Sequence, residues 1–191
     1  MLTPFQKRKL TRRFHLYDTG RTGVLRWSDM ERMLENVLEL SGWSMDAPQR
    51  QKFLLQARTG WQLMTTAADE NFDGEVSLEE WLGFYEELFS KADHEPGQLP
   101  PWLLAMSDLS FDAMDSDGDG TISFEEYRAI VKAWGVGDSD PTECFERIDT
   151  DGNGTISKEE WRQLNVDFYL GDDPKAASTW LWGDVFKNFF K

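Results

Sequence analysis

Oxygen-bearing side chains recur at a fixed spacing between residues 115 and 126. Carboxylates stand at the first, third, fifth and twelfth positions of this stretch and a glycine stands at the sixth: Asp115, Asp117, Asp119, Glu126 and Gly120. A hard divalent cation such as Ca²⁺ is held by about six to eight oxygen ligands. A glycine permits the sharp turn with which one short segment can surround an ion. The stretch therefore predicts a Ca²⁺ site.

The same pattern, that of the EF-hand calcium loop, recurs along the chain. The four loops span residues 18–29, 69–80, 115–126 and 149–160. In three of them the predicted ligands are the side chains at positions 1, 3, 5 and 12 and the residue at position 7, which offers its backbone carbonyl. These ligands are Asp69, Asn71, Asp73, Glu75 and Glu80; Asp115, Asp117, Asp119, Thr121 and Glu126; and Asp149, Asp151, Asn153, Thr155 and Glu160. The sequence thus predicts three Ca²⁺ ions, with Mg²⁺ as a competitor.

Loop 18–29 departs from the pattern. Position 3 is Gly20, position 5 is Thr22, position 9 is Arg26 and position 12 is Asp29. An arginine that faces a divalent cation is repulsive, and Asp29 is too short to match the bidentate glutamate. We expect this loop to hold no Ca²⁺, and Mg²⁺ is the expected occupant if it holds any ion.

Apolar residues at spacings of three and four flank each loop. Around the first loop they include Phe14 and Tyr17 before it and Met30 and Met33 after it. This spacing predicts helices with one apolar face, so we interpret the aromatic stripes as core. The predicted fold is all-α, with four helix-loop-helix units in two pairs packed into one compact body. Short antiparallel β links should join paired loops, with Leu25 opposite Val76 and Ile122 opposite Ile156.

Breaks in the helical pattern predict the domain organisation. Residues 1–92 should form the N-terminal pair of hands, 93–101 a linker rich in helix breakers, and 102–170 the C-terminal pair. Residues 171–191 form an apolar tail, whose large groups are Trp180, Leu181, Trp182, Val185, Phe186, Phe189 and Phe190. Because exposure of so many apolar groups favours aggregation, we expect the tail to dock on the core. The alternative is a plug or ligand cover that calcium displaces.

The first helix carries the chain's concentrated positive charge. Its basic residues are Lys7, Arg8, Lys9, Arg12 and Arg13. We interpret this cluster as a solvated helix face. A docking site for an acidic partner and an internal contact to acidic loops are the alternatives.

A serine precedes the last ligand by three residues in each intact loop, as Ser123 precedes Glu126. The same spacing marks a capping box at the start of the exit helix. This predicts that the glutamate caps its own helix without metal and turns inward when an ion binds.

Composition limits the classes of function. The formal net charge is −15, from 35 acidic and 20 basic side chains. This charge argues against partners such as nucleic acid or anionic membranes. The single cysteine, Cys144, indicates a reducing compartment, and no apolar run is long enough for a signal peptide or a membrane span. We therefore expect a cytoplasmic monomer without stable membrane insertion.

The whole chain resembles the invertebrate sarcoplasmic calcium-binding proteins and their relative calexcitin. The features in common are four hands at uneven spacing, a Trp-rich core and an apolar tail containing Leu-Trp-Gly-Asp at 181–184. The stretch from Asp69 to Trp81 is especially similar to calexcitin. The resemblance implies a compact cytosolic fold with three active sites and one silent one. In calexcitin the degenerate hand is the fourth, whereas here it is the first.

Three functions remain open at this stage. A calcium buffer needs only the three loops, whereas a sensor also needs a calcium-dependent apolar surface for a protein target. A calcium-triggered luciferin-binding protein or photoprotein would share the fold. Photoproteins use a histidine in the last exit helix and a C-terminal proline, where this chain has Leu164 to Tyr169 without histidine and ends in Lys191. No catalytic constellation and no organic cofactor site is evident, so we predict no enzyme activity.

Overall fold

The computed structural model describes residues 1–90, 99–136 and 139–187, and within them the chain is mostly helical. The helices are α1 (Pro4–Tyr17), α2 (Trp27–Leu40), α3 (Pro48–Ala68), α4 (Leu78–Ser90), α5 (Pro101–Met114), α6 (Phe124–Ala133), α7 (Pro141–Ile148) and α8 (Lys158–Leu170), followed by a 3₁₀ helix (Ala177–Trp180). The predicted linker residues 93–98 and the tail residues Phe189 and Phe190 lie outside the described part. None of the described helices is long and apolar enough to cross a membrane.

Local signals fix where helices begin. At α1, the Thr3 hydroxyl accepts a hydrogen bond from the Gln6 N–H at 3.1 Å, and the Gln6 side chain accepts one from the Thr3 N–H at 3.0 Å. This reciprocal capping box satisfies two N–H groups that a helix start leaves unpaired. Pro4 follows at the first helical position, where its missing N–H costs nothing.

Two short antiparallel ribbons connect the loops in pairs. Strands β1 (Val24–Leu25) and β2 (Val76–Ser77) place Leu25 opposite Val76. Strands β3 (Thr121–Ser123) and β4 (Thr155–Ser157) place Ile122 opposite Ile156. All four apolar side chains of these pairs are fully buried. The predicted pairing of the loops and its register are confirmed.

The core runs through both pairs of hands. Trp81 and Phe14 belong to the first pair and Trp161 belongs to the second, and all three are buried in one continuous apolar cluster. Helices of the two halves also contact each other directly, α3 with α5, α2 with α6, and α1 with α8. The predicted all-α architecture of four hands with short antiparallel links is confirmed.

The basic cluster of α1 is not a solvated face. Lys9, Arg12 and Arg13 are all buried. The Lys9 ammonium donates to the carbonyl of Gly171 at 2.7 Å, and Nε of Arg12 donates to the carbonyl of Trp182 at 2.8 Å. Main-chain carbonyls taken out of water need donors, and these side chains supply them. Our interpretation of a solvated face is therefore wrong for these three residues. Lys9 and Arg12 bind main-chain carbonyls near the C-terminus, and Arg13 packs against the ring of Trp182.

The described part of the tail lies against α7 and α8. Leu181, Trp182 and Val185 are buried there. The ring of Trp182 packs against Trp134 with 4.7 Å between centroids and against Trp161 edge-on at 5.4 Å. The tail thus fills the apolar surface between the second pair of hands and α1.

Candidate metal centres

Each of the four loops connects an entering helix to an exit helix and contributes one short strand. The glycine at position 6 has a positive φ in every loop, from 80° at Gly23 to 88° at Gly120 and Gly154. A side chain with a Cβ rarely adopts this conformation, so glycine is required for the loop to close. The backbone scaffold is therefore the same in all four hands.

Loop 115–126 brings three carboxylates together. One oxygen from each of Asp115, Asp117 and Glu126 lies within 4.8 Å of the others. Oδ2 of Asp115 accepts from the Gly120 N–H at 3.0 Å, whereas its buried Oδ1 has no hydrogen-bond partner. A buried carboxylate oxygen without a donor is costly, and a cation at this position would satisfy it. The donor set and the unpartnered oxygen both fit a hard divalent ion.

Loop 149–160 has the same construction. Carboxylate oxygens of Asp149, Asp151 and Glu160 lie within 4.8 Å of one another. Asp149 is held by two backbone donors, the N–H of Asn153 at 3.1 Å and that of Gly154 at 2.9 Å. The position-1 carboxylate is thereby fixed before any ion binds.

Loop 69–80 has an amide where the other two have a carboxylate. Asn71 stands at position 3, and its Oδ1 accepts from the Asp73 N–H at 2.9 Å. Asp69 accepts from the Gly74 N–H at 3.0 Å, as Asp115 does from Gly120. The loop therefore offers oxygens in the same arrangement but with one less negative charge at position 3.

The residues at positions 5 and 7 form one edge of each intact loop. In loop 115–126, Oδ1 of Asp119 accepts from both the N–H and the hydroxyl of Thr121, each at 2.8 Å. In loop 149–160, Asn153 and Thr155 make the same two bonds at the same distances. In loop 69–80, the N–H of Glu75 donates to Asp73 at 2.8 Å. These bonds orient the position-5 side chains, which remain predicted ligands together with the position-7 carbonyls.

The glutamate at position 12 caps its exit helix and spans the loop at the same time. Oε2 of Glu126 accepts from the Ser123 N–H at 2.9 Å, and Oε1 accepts from the Ser116 N–H at 2.8 Å. Glu160 bonds to Ser157 and Thr150 in the same manner. The predicted capping of the exit helix by the glutamate is confirmed, and the same carboxylate also reaches the start of the loop. Its inward movement on ion binding stays a prediction.

Hydrogen bonds favour the ionised form of these glutamates. Hydrogen bonds from Ser77 hold the pKa of Glu80 below its usual value. Burial opposes ionisation of Glu126 and Glu160, but donors from Ser123 and Ser157 outweigh it and lower the pKa of both. A cation needs the ionised carboxylate, so the loops are prepared for metal binding.

Asp115 behaves in the opposite way. Burial, helped by the nearby charges of Glu126 and Asp119, raises the pKa of Asp115 above its usual value. Crowding of negative charge is expected where a divalent cation would neutralise it.

Loop 18–29 has an arginine where the others have room for an ion. Nη2 of Arg32 lies 2.5 Å from Oδ1 of the buried Asp29, and Nε of Arg32 donates to the Thr19 hydroxyl at 3.0 Å. Arg32 is so close that a Cβ added to Gly20 would lie 3.2 Å from its Nη2. The guanidinium of the half-exposed Arg32 thus compensates the buried carboxylate at position 12.

Arg26, in which we expected the repulsive cation of this loop, points elsewhere. Its Nε donates to Glu75 of the neighbouring loop at 2.6 Å, and its Nη1 donates to the Thr22 hydroxyl at 3.2 Å. The two residues are joined across the β1–β2 ribbon, so the expectation that Arg26 faces the ion position is wrong. Glu75 is a charged acceptor, and a charge-assisted hydrogen bond to it is favourable.

The sequence analysis missed Arg32, although a signal was present. Arg32 follows position 12 by three residues, a spacing that makes helix neighbours. The equivalent positions in the intact hands are Gly83, Ala129 and Gln163, all uncharged. A comparison extended three residues beyond each loop would have identified the internal cation.

Comparison with known proteins supports this arrangement. A family model described as EF hand matches residues 66–85, 107–131 and 142–165, which contain the three intact loops and leave out loop 18–29. Sarcoplasmic calcium-binding proteins I, III and IV of Branchiostoma lanceolatum are 27% identical over 140 residues, 73% of this chain and 75% of theirs. Calexcitin-1 of Caenorhabditis elegans is 25% identical over 142 residues, 74% of this chain and 64% of its own.

The solved structure of an amphioxus sarcoplasmic calcium-binding protein has the same fold. It superposes with a TM-score of 0.75 at 25% identity and covers 95% of this chain and 98% of that chain. Fold, intact loops and sequence relatives agree. The chain is therefore a calcium-binding EF-hand protein that is similar to the sarcoplasmic calcium-binding proteins and calexcitin.

Proposed function

We propose that the protein is a cytoplasmic calcium buffer with three ion sites, in loops 69–80, 115–126 and 149–160. Loop 18–29 stays silent because Arg32 neutralises Asp29 from within. Mg²⁺ competes for the three sites at its millimolar concentrations in cells, since it accepts the same hard oxygen ligands. The ligands are the fifteen residues predicted from the sequence, five in each loop.

The buried tail favours buffering over signalling. A calcium sensor must offer an apolar surface to its target when the ion binds. Here the surface between the C-terminal hands and α1 is covered by Leu181, Trp182 and Val185 of the same chain. The Tyr127 hydroxyl also donates to the carbonyl of Trp180 at 3.4 Å, which ties the exit helix of loop 115–126 to the tail.

The domain organisation that goes with this function is the one predicted from the sequence. Residues 1–92 and 102–170 each supply two hands, 93–101 connect them and 171–191 form the tail, whose described part covers the second pair. Contacts between α3 and α5 and between α1 and α8 support a single body without a separate target-binding half. We propose that this body acts as a monomer.

Calorimetric titration in Mg²⁺ buffer tests the ion sites. We expect about three Ca²⁺ ions per chain with micromolar or tighter affinity. Fewer than two such sites would contradict the proposal. Glu126→Gln should remove one ion from the stoichiometry, whereas Asp29→Asn, its counterpart in the silent loop, should remove none.

The fluorescence of an apolar dye tests buffering against sensing. A buffer should give nearly the same dye fluorescence with and without Ca²⁺ in Mg²⁺ buffer, because the tail covers the apolar surface in both. A large calcium-dependent rise would contradict buffering and favour a sensor.

A sensor with a protein target is the second candidate, and one surface favours it. Leu55 and Leu63 of α3 are exposed, and Leu63 borders a groove of about 230 Å³ lined by Phe84, Leu88 and Trp102. An amphipathic helix of a target could bind there. If dye fluorescence does rise with Ca²⁺, Leu63→Glu should abolish the rise, while Leu40→Glu, an exposed leucine of α2, should not.

A further inference from the structure

A cavity lies where the two pairs of hands meet. It encloses about 90 Å³ and is lined by residues of α1 to α5 and α8, together with Trp134. Most of the side chains that line it are aromatic or belong to methionine, including Trp61, Trp81, Trp102 and Met106. Methionine side chains adapt readily to the shape of a ligand. None of these groups belongs to an ion loop.

Three polar atoms in this wall have no hydrogen-bond partner. They are Nε of Arg13, Oγ of Ser107 and Nε1 of Trp134, and each is buried. Arg13 is 8% exposed and Ser107 is 5% exposed. Buried donors are normally paired, because leaving them without acceptors costs free energy. Three unpaired groups around one cavity indicate that an acceptor belongs inside it.

The charge of Arg13 is also uncompensated by an acid. Among the described residues, no aspartate or glutamate lines the cavity. The Arg13 guanidinium lies over the rings of Trp182 at 3.5 Å and Tyr17 at 4.6 Å. These contacts stabilise the faces of the guanidinium, but its Nε–H group lies in the guanidinium plane and still has no acceptor.

The tyrosines near Arg13 cannot supply a counter-charge. Burial raises the pKa of Tyr17 to about 12 and that of Tyr85 well above its usual value. Both phenols are therefore neutral at physiological pH and act as hydrogen-bonding groups. The cavity combines a positive charge, neutral hydroxyl groups and aromatic walls.

We propose that this cavity is a binding site for a small aromatic anion, with its charged group on Arg13 and Ser107 and its ring among the tryptophans. A water molecule occupies about 10–15 Å³ on this scale, so the space suits a ligand of roughly six to nine non-hydrogen atoms, one aromatic ring with a carboxylate. The site goes beyond calcium binding and does not depend on the number of ions bound.

Benzoate and benzamide are a matched pair of probes, since they have the same size and differ in charge. We expect calorimetric titration of the calcium-saturated full chain to show benzoate binding about tenfold more tightly than benzamide, because a charge-assisted bond to Arg13 is stronger than a neutral one. In Arg13→Met the preference for benzoate should disappear, so that the two probes bind about equally tightly. Arg128→Met, an exposed arginine paired with Glu125, is the control and should keep it.

Two further variants keep the test decisive if Arg13→Met fails to fold. Ala57→Leu fills the cavity from α3 and should weaken both probes by about tenfold or more. Ser107→Ala removes the unpaired hydroxyl group of the cavity wall and should weaken benzoate binding by about threefold. Equal affinities of the parent chain for both probes would overturn the proposal, and so would a preference for benzoate that survives in Arg13→Met. Unchanged probe affinity in Ala57→Leu or Ser107→Ala would also overturn it. So would the absence of binding of either probe at concentrations below about 10 mM.

Discussion

Loop 18–29 and loop 115–126 have the same backbone and opposite electrostatics. In both, the position-12 carboxylate accepts hydrogen bonds from the N–H at position 9 and from an N–H near the start of the loop. For Asp29 these bonds measure 3.0 and 3.1 Å. For Glu126 they measure 2.9 and 2.8 Å. In the first loop Arg32 adds a guanidinium at 2.5 Å. In the third loop the equivalent position is Ala129, and Asp115 retains an unpartnered oxygen.

The comparison separates the structural role of a hand from its ion binding. The β1–β2 ribbon and the helix start at α2 need a closed loop, and an internal arginine stabilises that closure as a cation would. Loop 18–29 can therefore support its partner loop at every calcium concentration. Loops with uncompensated carboxylates should instead gain stability only when an ion binds.

The largest effect should come from the bidentate ligand. Glu126→Gln keeps a group that can cap the helix but loses one anionic oxygen, so we expect calcium affinity at loop 115–126 to fall roughly 100-fold. Calorimetric titration should be done in a chain that also carries Glu160→Gln, because this change weakens the paired loop 149–160 and leaves the effect on loop 115–126 easier to isolate. Asp29→Asn is the matched change in the silent loop and should leave all calcium affinities unchanged. A loss of bound calcium in Asp29→Asn would show that the first loop is occupied.

Restoring the missing ligands should test whether Arg32 silences the first loop. The variant Gly20→Asp, Thr22→Asp, Asp29→Glu and Arg32→Ala supplies the intact pattern, and we expect about one additional Ca²⁺ per chain, with affinity gained by tenfold or more over the parent loop. The control keeps Arg32 and carries the other three changes. It should gain no ion, because Arg32 would pair with the new carboxylates. An additional ion in the control would show that ligand loss alone explains the silence.

The repeated elements of this fold were predictable because they depend on local spacing. Positions 1 to 12 of each loop, the start of α1 at Thr3 and Pro4 and the pairing of Ile122 with Ile156 all follow from short sequence patterns. Backbone geometry determines these features within a few residues. The convergence of Asp115, Asp117 and Glu126 in one loop follows for the same reason.

Contacts distant in sequence were not predictable in this way. Burial of Lys9, Arg12 and Arg13 depends on where the tail lies, and helix spacing alone assigns them to the polar face. The partner of Arg26 depends on the register of the ribbon, which brings Glu75 within 2.6 Å. The cavity depends on six helices at once. No pattern within a single element carries this information.

A smaller effect should follow from breaking the link between the silent loop and its partner. Arg26→Met removes a positive charge bound to Glu75 at position 7 of loop 69–80. Because both side chains are partly exposed, screening limits the effect, and we expect calcium affinity at that loop to rise by about threefold. Titration of a chain carrying Glu126→Gln and Glu160→Gln measures that site alone.

Arg21→Met provides the control for Arg26→Met. Arg21 is an exposed arginine of the same loop. It should raise the affinity less than Arg26→Met does, since long-range effects of charge are weak in salt. Equal shifts in both variants would mean that net charge, and not the contact with Glu75, sets the affinity.

The smallest effect concerns the backbone at position 4, where the loops again differ. Gly118 and Gly152 have φ of 75° and 70°, while Phe72 has 59° and its side chain is 89% exposed. A bulky residue in the left-handed region destabilises the folded state by about 1 kcal/mol. Glycine removes this strain, but its greater freedom in the unfolded chain offsets part of the gain. Phe72→Gly should therefore stabilise the protein by about 0.5 kcal/mol in urea unfolding.

Phe72→Ala separates backbone strain from loss of the ring. Alanine keeps a Cβ and hence the strain, so its free energy of unfolding should stay close to that of the parent. Because the ring of Phe72 makes little contact with the protein, equal stabilisation by alanine and glycine would contradict the strain and point to an unfavourable effect of the exposed ring itself. A stabilisation specific to glycine would mean that loop 69–80 is intact in its ligands but strained at position 4, unlike the two loops of the C-terminal pair.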